Sequence, residues 1–472
     1  MRKSLFLNAM STNDARTENR MRTHSTSDSA LVDFFGSAAG ARKMSEDEII
    51  TLFDRAMAED MDKAMKLLFW LRDVRGGAGE RKAFRACIKY LAEFYPEQLY
   101  KNVKYIPEFG RWDDVLNLLG TELEGAALRV IAYGLREGDR LCAKWLPRKG
   151  KVAAHLRAYL KLTPKQYRKL LVHLTNVVET PMCAKEYGSI DYSKLPSLAS
   201  ARYQAAFSRN DPFRYEAFKN ALKKGEAKIN AGAIYPYDIV RSLFRGDVDV
   251  ADAQWAALPD YLEGSEYTRI LPLVDTSGSM TVPVSGQISA LDVAVSLGIY
   301  LSERNRGIFK DHFMTFSRRP ALQHLTGSLS QRARQLQTAH WDMNTDLMLA
   351  FDKILQRAEA ARVPENHMPQ VILILSDMQF DQCTRYDDNA LYSIRKRYAR
   401  AGYEMPKVIF WNINGRSGQS PVKVRDENTA LISGFSPSIM KYVLAPGNLE
   451  KLSPYNMMME VVNSPRYAVI AA

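Results

Sequence analysis

The 472-residue sequence predicts an all-α helical-repeat domain followed by a doubly wound α/β domain. Short segments with apolar residues at helical spacing run from about residue 45 to about 245, without the alternation that marks strands. From about residue 263, continuous apolar strands alternate with helices, which is typical of a parallel sheet covered on both faces. A hydrophobic fraction of 46 % with 25 % charged residues is that of an ordinary globular protein.

The first element is a polar stretch rich in Ser, Thr and Asn, residues 1–40, which we expect to be flexible, either mostly disordered or loosely docked. The helical domain, residues 41–262, begins with Ser45 and Glu48, whose spacing is that of a capping box. Further along, Thr163 followed by Pro164 is a typical start signal, because proline is tolerated at the first helical position. No helix is apolar all round, so we expect helices of 10–15 residues in antiparallel pairs stacked as a solenoid.

The α/β domain, residues 263–472, contains apolar runs that predict strands, of which the second and third form a candidate hairpin. The predicted strands are residues 267–274, 308–316, 320–325, 370–375, 407–412 and 429–435. The predicted helices are residues 288–301, 345–358, 389–401 and 436–444.

The net charge of +12 lies almost entirely in the front half of the chain. Residues 1–250 hold 42 Lys and Arg against 31 Asp and Glu, whereas residues 251–472 hold 23 against 22. Within the front half, residues 140–178 carry ten basic residues and no acidic one. A local basic field of this kind indicates a polyanion as partner.

Aromatic residues are interleaved with these cations, namely Trp145, Tyr159 and Tyr167. Rings that stack on bases, beside cations that follow phosphates, suit single-stranded RNA. Double-stranded DNA is disfavoured because no helix-turn-helix, zinc or basic-zipper pattern is present. A solvated helix face is the alternative interpretation of the charge run. The candidate RNA-binding residues are Lys144, Trp145, Arg148, Lys149, Lys151, Arg168 and Lys169.

Hard oxygen donors lie at the ends of the predicted strands, where doubly wound sheets bind their ligands. Asp275, Ser277 and Ser279 follow the first strand, Thr345 precedes a helix, and Asp377 follows the strand at 370–375. Two carboxylates and three hydroxyls, without thiolate or imidazole, suit octahedral Mg²⁺ or Mn²⁺ completed by water and one outside ligand. A Ser- and Asp-rich turn that binds no metal is the alternative.

The order Asp275-x-Ser277-x-Ser279, then Thr345, then Asp377, resembles the metal-ion-dependent adhesion site (MIDAS) of von Willebrand factor A domains. The resemblance implies that the serines and the threonine bind the ion directly. It also implies that the aspartates bind it directly or through water, and that a partner supplies the last oxygen. Thr276 is not expected to be a ligand.

A basic helical-repeat domain followed by an A domain is similar to the Ro ribonucleoprotein (TROVE-type) family. In that family HEAT-like repeats close into a ring that binds small structured RNA and the single-stranded ends of misfolded RNA. The segments 71–81, 108–114, 144–148 and 167–169 resemble, more closely, an uncharacterised Ro-like family with the same layout. The resemblance spans roughly residues 30–470 and implies a non-enzymatic RNA-binding protein whose A domain binds a partner through magnesium.

Several other classes of protein are disfavoured. No apolar run approaches the ~20 residues of a membrane-spanning helix, and the apolar stretch after Met1 stops at Leu7, too short for a signal peptide. Four cysteines without metal-ligand spacing predict reduced thiols, so we expect a cytoplasmic protein. No nucleophile is arranged beside a base, so we expect no enzymatic activity.

Two motifs, and the function of the protein, each have more than one interpretation. The loop at 76–79 follows a helix and lacks the lysine of a P-loop, which favours a tight turn with ion pairs among Arg72, Asp73 and Arg75 or Arg81. Arg111 and Trp112 form either a structural helix start or a base-stacking pair. The alternative to RNA binding is a protein-interaction scaffold that grips a partner carboxylate through the metal site.

Overall fold

A computed structural model describes residues 15–175, 177–243, 248–265, 267–316, 320–338, 346–381, 390–416 and 418–472. These residues divide into two compact units. The α/β unit comprises the described parts of Met1–Ala64, Tyr235–Arg241 and Asp260–Ser464. The helical unit comprises the described parts of Met65–Ile234, Ser242–Pro259 and Pro465–Ala472. Among the described helices, none has both the length and the apolar character that crossing a bilayer requires.

The described part of the chain contains twenty-two α-helices, many of them short. In chain order they are α1 (Ala30–Ser37), α2 (Glu46–Glu59), α3 (Met61–Arg72), α4 (Lys82–Phe94), α5 (Pro96–Tyr100), α6 (Ile106–Phe109), α7 (Trp112–Val115), α8 (Glu124–Arg136), α9 (Arg140–Trp145), α10 (Gly150–Tyr159), α11 (Pro164–Leu174), α12 (Glu179–Ala184), α13 (Ser197–Asn210), α14 (Pro212–Lys223), α15 (Pro236–Leu243), α16 (Val248–Ala256), α17 (Ala290–Arg304), α18 (Leu329–Thr338), α19 (Leu347–Ala361), α20 (Ala390–Arg400), α21 (Met440–Val443) and α22 (Pro454–Val462). Short 3₁₀ segments cover Ala38–Lys43, Val103–Tyr105, Leu116–Leu118, Tyr187–Ser189, Tyr192–Lys194, Gly278–Thr281, Gly307–Phe309, Glu365–His367, Pro437–Ile439, Leu449–Lys451 and Pro465–Tyr467.

Ten strands are described, six of which form one sheet in the order β10-β9-β8-β3-β6-β7. The strands are β1 (Ala15–Arg16), β2 (Arg22–Thr23), β3 (Ile270–Asp275), β4 (Pro283–Ser285), β5 (Ile288–Ser289), β6 (His312–Phe316), β7 (Leu322–His324), β8 (Val371–Ser376), β9 (Lys407–Asn412) and β10 (Thr429–Ser433). Strands β10, β9, β8, β3 and β6 are parallel, and β7 pairs antiparallel with β6 as the predicted hairpin. The chain leaves β3 toward β6 on one side and returns to β8 on the other, so the strand order reverses at β3.

Helices cover both faces of this sheet, which confirms the predicted mixture of helical and α/β structure. On one face, Leu273 belongs to a buried core that also contains Phe351 of α19 and Ile394 of α20. On the other face, Gly298 of α17 faces Val274, and a Cβ at Gly298 would lie 2.7 Å from a methyl carbon of Val274. A glycine at this position therefore lets α17 approach β3 closely.

Residues 15–40 differ from the predicted flexible segment, because they pack against the α/β unit. Thr17 donates to the carbonyl of Phe380 (2.6 Å), and the backbone of His24 pairs with that of Ser420. Helix α1 lies against β10, where Ser433 donates to the carbonyl of Phe35 (2.7 Å). These partners lie several hundred residues away in sequence, so a local polar composition carries no sign of them. Residues 1–14 lie outside the described part of the chain.

The helical unit contains no described strand, as predicted, and its helix starts follow the predicted chemistry. At α11 the amide of Gln166 donates to the hydroxyl of Thr163 (3.3 Å), and the amide of Thr163 donates to the side chain of Gln166 (2.9 Å). The predicted capping box of Ser45 and Glu48 is also present, at the start of α2 in the α/β unit. Several helices are shorter than the predicted 10–15 residues, because proline and glycine interrupt them.

The boundaries of the units differ from the predicted divisions at residues 40 and 262. Residues 41–64 pack with the α/β unit, and Pro465–Ala472 pack with the helical unit. In the helical unit, the guanidinium of Arg466 and the hydroxyl of Tyr467 both bind the buried carboxylate of Asp73. This contact gives Asp73 partners far along the chain, whereas the predicted ion pairs were with neighbours in the glycine-rich turn.

Candidate functional site

Asp275 and Asp377 lie side by side at the carboxyl edge of the central sheet. Asp275 is the last residue of β3, and Asp377 directly follows β8. The two strands are parallel neighbours, with Val274 opposite Leu375. Because the strand order reverses at β3, this edge is the crevice at which doubly wound sheets bind their ligands.

Hydrogen bonds order the turn after β3 and connect it with the turn after β8. The backbone amide of Ser277 donates to Oδ1 of Asp275 (2.9 Å), which folds the first turn back onto its own strand. The hydroxyls of Ser277 and Ser279 are 3.0 Å apart, and Ser279 donates to Oδ1 of Asp377 over 3.4 Å. The four described candidate ligands therefore form one connected group of oxygen atoms.

Ser376 connects the two strands and was not among the predicted site residues. Its hydroxyl donates to Oδ2 of Asp275 (2.5 Å) and accepts from the amide of Met378 (3.0 Å). Met378 has a φ of 63°, a left-handed conformation that costs a non-glycine residue roughly 1 kcal/mol or more. The backbone after β8 is thus held in a strained turn beside the two carboxylates.

Two buried carboxylates lie close together at this edge, which disfavours their ionised forms. Burial and the neighbouring carboxylate of Asp377 raise the pKa of Asp275 to about 7, and burial also raises the pKa of Asp377. Oδ2 of Asp377 and the hydroxyl of Thr276 are buried, and within the described part of the chain neither has a hydrogen-bond partner. A divalent ion would neutralise the carboxylates and give the free carboxylate oxygen a partner.

The donor set fits a hard cation but depends on hydroxyl groups. Among the described residues, no group of three or more His, Cys, Asp or Glu side chains is placed to hold a metal. The candidate ligands Asp275, Ser277, Ser279 and Asp377 supply only carboxylate and hydroxyl oxygens, which suits Mg²⁺ or Mn²⁺. The fifth candidate, Thr345, lies outside the described residues.

Residues near the amino end of the described chain border the same edge. The amide of Glu18 donates to the side chain of Gln379 (2.8 Å), two residues after Asp377. The carboxylate of Glu18 pairs with the guanidinium of Arg416, and both groups act on the pKa of Asp377 in opposite directions. The sequence gives no local sign of this arrangement, because it joins three distant segments.

The helical unit carries the candidate RNA-binding residues on and before α10 and α11. Five of the seven are exposed, and among the described residues none of these five pairs with a carboxylate. They are Arg148, Lys149, Lys151, Arg168 and Lys169. Tyr167 between them is buried and donates to the carbonyl of Pro147 (3.1 Å), so it anchors α11 and is not free for stacking.

The other two candidates have different surroundings. Lys144 lies 3.5 Å from the carboxylate of Glu179, which partly neutralises it. Trp145 is half-buried, and the guanidinium of Arg111 lies over its ring, 5.0 Å from the centroid. Arg111 therefore lies beside the candidate residue Trp145. From the sequence, Arg111 and Trp112 form either a structural helix start or a base-stacking pair.

Sequence and structure comparisons give the relatives of the chain. Residues 17–135 and 140–265 match the family described as a domain of unknown function (DUF2828), and residues 270–465 match another so described (DUF7788). The chain is 30 % identical over 509 residues to uncharacterized protein L728 of Acanthamoeba polyphaga mimivirus, covering 94 % of this chain and 86 % of that protein. The crystal structure of the Deinococcus radiodurans RO (RSR) protein matches 93 % of this chain and 99 % of its own, with a TM-score of 0.48 and 14 % identity.

Proposed function

Because this chain belongs to the family described as a domain of unknown function (DUF2828), whose description names no activity, we propose a function from the residues themselves. The protein is a non-enzymatic, Ro-like RNA-binding protein of the cytoplasm. Its helical unit, with HEAT-like pairs of helices, binds small or single-stranded RNA. The observation that carries this proposal is that the five exposed candidate cations lack carboxylate partners in the described chain; they are Arg148, Lys149, Lys151, Arg168 and Lys169.

Unpaired surface cations are the feature that a phosphate backbone recognises. A lysine or arginine that already pairs with a carboxylate gains little from a phosphate, because it must first lose its partner. The five cations on and before α10 and α11 have no such partner to lose. Neutralising each of them with a phosphate releases a counterion, which supports affinity that is independent of sequence.

The α/β unit adds a second part to the proposal. It is a von Willebrand factor A-like domain in which Asp275, Ser277, Ser279, Thr345 and Asp377 hold one Mg²⁺ or Mn²⁺. The buried, unpartnered oxygen of Asp377 supports this part, since a metal ion would satisfy it. The ion would then present an open position to a carboxylate of a partner protein.

The unpartnered oxygen of Asp377 also supports a second candidate function. In this alternative the protein is an interaction scaffold that grips a partner carboxylate through the metal site and binds no RNA. The two candidates differ in the role of the helical unit and share the metal site. An experiment on RNA therefore separates them, whereas an experiment on the metal does not.

The test begins with the full chain purified at low salt. We expect copurifying nucleic acid, seen as a raised ratio of absorbance at 260 and 280 nm that RNase removes and DNase does not. A variant with Lys149, Lys151, Arg168 and Lys169 changed to Glu should lose that RNA. The matched control changes the exposed Arg202, Arg209, Lys224 and Lys228 to Glu, which alters the net charge equally and should retain RNA.

The outcomes separate the candidates. Loss of RNA in the first variant alone supports a phosphate-binding surface at residues 148–169. Equal loss in both variants would indicate that only the overall charge matters. A parent protein that binds no RNA at low salt would contradict RNA binding and leave the scaffold.

A further inference from the structure

A cleft in the helical unit lies among helices α6 to α10 and includes Trp145, one of the seven candidate RNA-binding residues. Its volume is about 1140 Å³, which is large enough for more than one nucleotide. The residues that matter here are Arg75, Arg111, Arg129, Tyr133, Trp145 and Tyr159, and we refer to them as the arginine–aromatic cleft. Its lining holds five cations against three carboxylates.

The carboxylates nearest to Arg111 are already occupied. Asp114 is buried and accepts from Arg72 Nε (2.8 Å) and Arg85 Nε (2.6 Å), as well as from the backbone amide of Arg111 (2.9 Å). Asp113 pairs with Arg85 at 2.7 Å. Among the described residues, no carboxylate forms an ion pair with the guanidinium of Arg111, and the attraction of Asp113 and Asp114 compensates its positive charge only in part.

The fold also places like charges around this group. Burial and the guanidinium groups of Arg72 and Arg81 lower the pKa of Arg111. An arginine stays charged despite such a shift, so the repulsion remains in the folded protein. A bound anion would relieve it. Arg129 is exposed in the same cleft and, within the described chain, has no carboxylate partner either.

The floor of the cleft is rigid. Trp112 is buried, and its indole N–H donates to the carboxylate of Asp139 (3.2 Å), which also caps α9. A Cβ at Gly134 would lie only 2.3 Å from the Trp112 ring, so a glycine is needed for α8 to pack here. The backbone of Arg111 is fixed by Asp114. The backbone that carries the cations of the cleft is thus already ordered, so binding loses less conformational entropy.

Aromatic rings are available at the mouth of the cleft. Tyr133 is 57 % exposed and Tyr159 is 42 % exposed, so part of each ring is open to solvent. The guanidinium of Arg136 lies 5.3 Å from the centroid of Tyr133, and that of Arg111 lies 5.0 Å from the centroid of Trp145. Guanidinium groups placed beside accessible rings are the combination that holds a base by stacking and its phosphate by charge.

We infer that the arginine–aromatic cleft binds one or two nucleotides of a single-stranded RNA, with a base on Tyr133 or Tyr159 and phosphates on Arg111 and Arg129. This inference rests on the proposed RNA-binding function and adds a specific subsite to it. The cations of residues 148–169 follow the backbone by charge alone, whereas the cleft recognises an unpaired base. An acidic peptide would use the arginines but would not need the exposed rings.

The test uses the full chain and a fluorescein-labelled single-stranded RNA of about ten nucleotides, a length within the range of known single-strand sites. The cleft variant is Arg129→Ala with Tyr133→Ala. The control variant is Arg209→Ala with Tyr100→Ala, which removes the same charge and a tyrosine that is 55 % exposed outside the cleft. We expect anisotropy titrations to show about tenfold weaker binding for the cleft variant, and less than about twofold for the control.

A second readout locates the RNA without relying on affinity. The same RNA carrying 5-iodouridine should crosslink under ultraviolet light to peptides that contain Tyr133, Trp145 or Tyr159. Equal affinity of both variants, or crosslinks confined to residues outside the cleft, would overturn the inference while leaving RNA binding by the protein intact. Binding of an acidic peptide with the same loss in the cleft variant, but no binding of RNA by the parent, would overturn both.

Discussion

Asp73 at the end of α3 binds Arg466, although 393 residues separate the two in sequence. Nη2 of Arg466 donates to Oδ1 of Asp73 over 2.8 Å, and Nε of Arg466 binds the other carboxylate oxygen. The hydroxyl of Tyr467 adds a third hydrogen bond at 3.0 Å. Asp73 is completely buried, whereas the Arg466 side chain is 33 % exposed. The pair therefore secures residues 465–472 to the start of the helical unit through one buried carboxylate.

The first prediction concerns this ion pair. Arg466→Ala leaves the buried carboxylate of Asp73 without its main partner, so the helical unit should lose roughly 3 kcal/mol of unfolding free energy. Hydrogen exchange of the amides in α3 and α6 measures this loss locally. Adding Asp73→Asn to the same variant removes the unpaired charge and should recover part of the stability. A double variant as unstable as the sum of the two single changes would contradict this explanation.

The same pair predicts an acid-sensitive helical unit. Burial alone would raise the pKa of Asp73, but the Arg466 guanidinium and the backbone amides of Arg75 and Gly76 together outweigh it and hold the pKa below its ordinary value. The folded state then binds fewer protons than the unfolded state in acid, so the stabilisation is present at neutral pH. It is lost as the pH falls below about 4 and through the folded pKa. In Asp73→Asn the exchange rates of α3 should depend less on pH over this range.

The third prediction concerns Asp238 at the start of α15, whose contribution to stability changes with pH in the opposite direction to that of Asp73. Burial raises the pKa of this carboxyl group to about 6, so the folded state binds more protons than the unfolded state between about pH 4 and pH 6. The unfolding free energy contributed by this group therefore falls as the pH rises through that range. Asp238→Asn should be more stable than the parent at pH 7.5 and no more stable near pH 4, measured by urea denaturation.

A control for Asp238 uses Asp47, an exposed carboxylate in the first turn of α2. A negative charge at this position interacts favourably with the helix dipole, so Asp47→Asn should slightly destabilise the protein at pH 7.5. If both substitutions change stability in the same direction at that pH, burial is not the cause of the Asp238 effect.

The fourth prediction concerns the metal site. Mg²⁺ at about one hundred times its dissociation constant should raise the unfolding free energy of the parent by about 2.7 kcal/mol. Asp275→Asn should abolish this response, because the ion loses a carboxylate ligand. In EDTA the same variant should be at least as stable as the parent, because Asp377 is then the one buried carboxylate left at the site and no longer repels a second one. Asp292→Asn, which alters the cap of α17, should keep the magnesium response.

The fifth prediction concerns the salt dependence of RNA binding. Each phosphate neutralised on a single strand contributes a slope of about −0.7 to log K against log salt. If the five candidate cations Arg148, Lys149, Lys151, Arg168 and Lys169 are engaged, the total slope should be roughly −3 to −4. Changing Lys149 alone to Ala should reduce its magnitude by about 0.7, measured by anisotropy between low and moderate salt. A slope near zero would contradict binding led by phosphates.

Much of the α/β unit could be predicted from the sequence, because short apolar runs mark its buried strands. Strand β9 has the predicted bounds, and β8 differs from the prediction by one residue at each end, since continuous apolar runs mark buried strands. The closeness of Asp275 and Asp377 followed from a general property of parallel sheets. The bond between Ser376 and Asp275 could not be foreseen, because it depends on the register of β3 against β8.

The amino-terminal segment and the arginine–aromatic cleft were beyond such reasoning. Thr17 and Thr23 are ordinary polar residues in sequence, and their partners Phe380 and Ser420 are known only once the chain is folded. Arg111 looks like one of many surface arginines until Asp114 is seen to be occupied by Arg72 and Arg85. Whether an arginine is paired depends on which other side chains reach the same carboxylate, and the sequence shows no periodic pattern for this.

The placement of Pro465–Ala472 in the helical unit has a consequence for biosynthesis. Asn102 and Ala471 exchange two hydrogen bonds, at 2.6 and 3.2 Å, so these residues complete the packing around the loop after α5. During translation the ribosome releases that segment only after it has made every residue of the α/β unit. Domains usually fold in the order of their synthesis. Here the last segment of the helical unit emerges only after some 200 residues that follow Pro259, so this unit completes its packing late in synthesis.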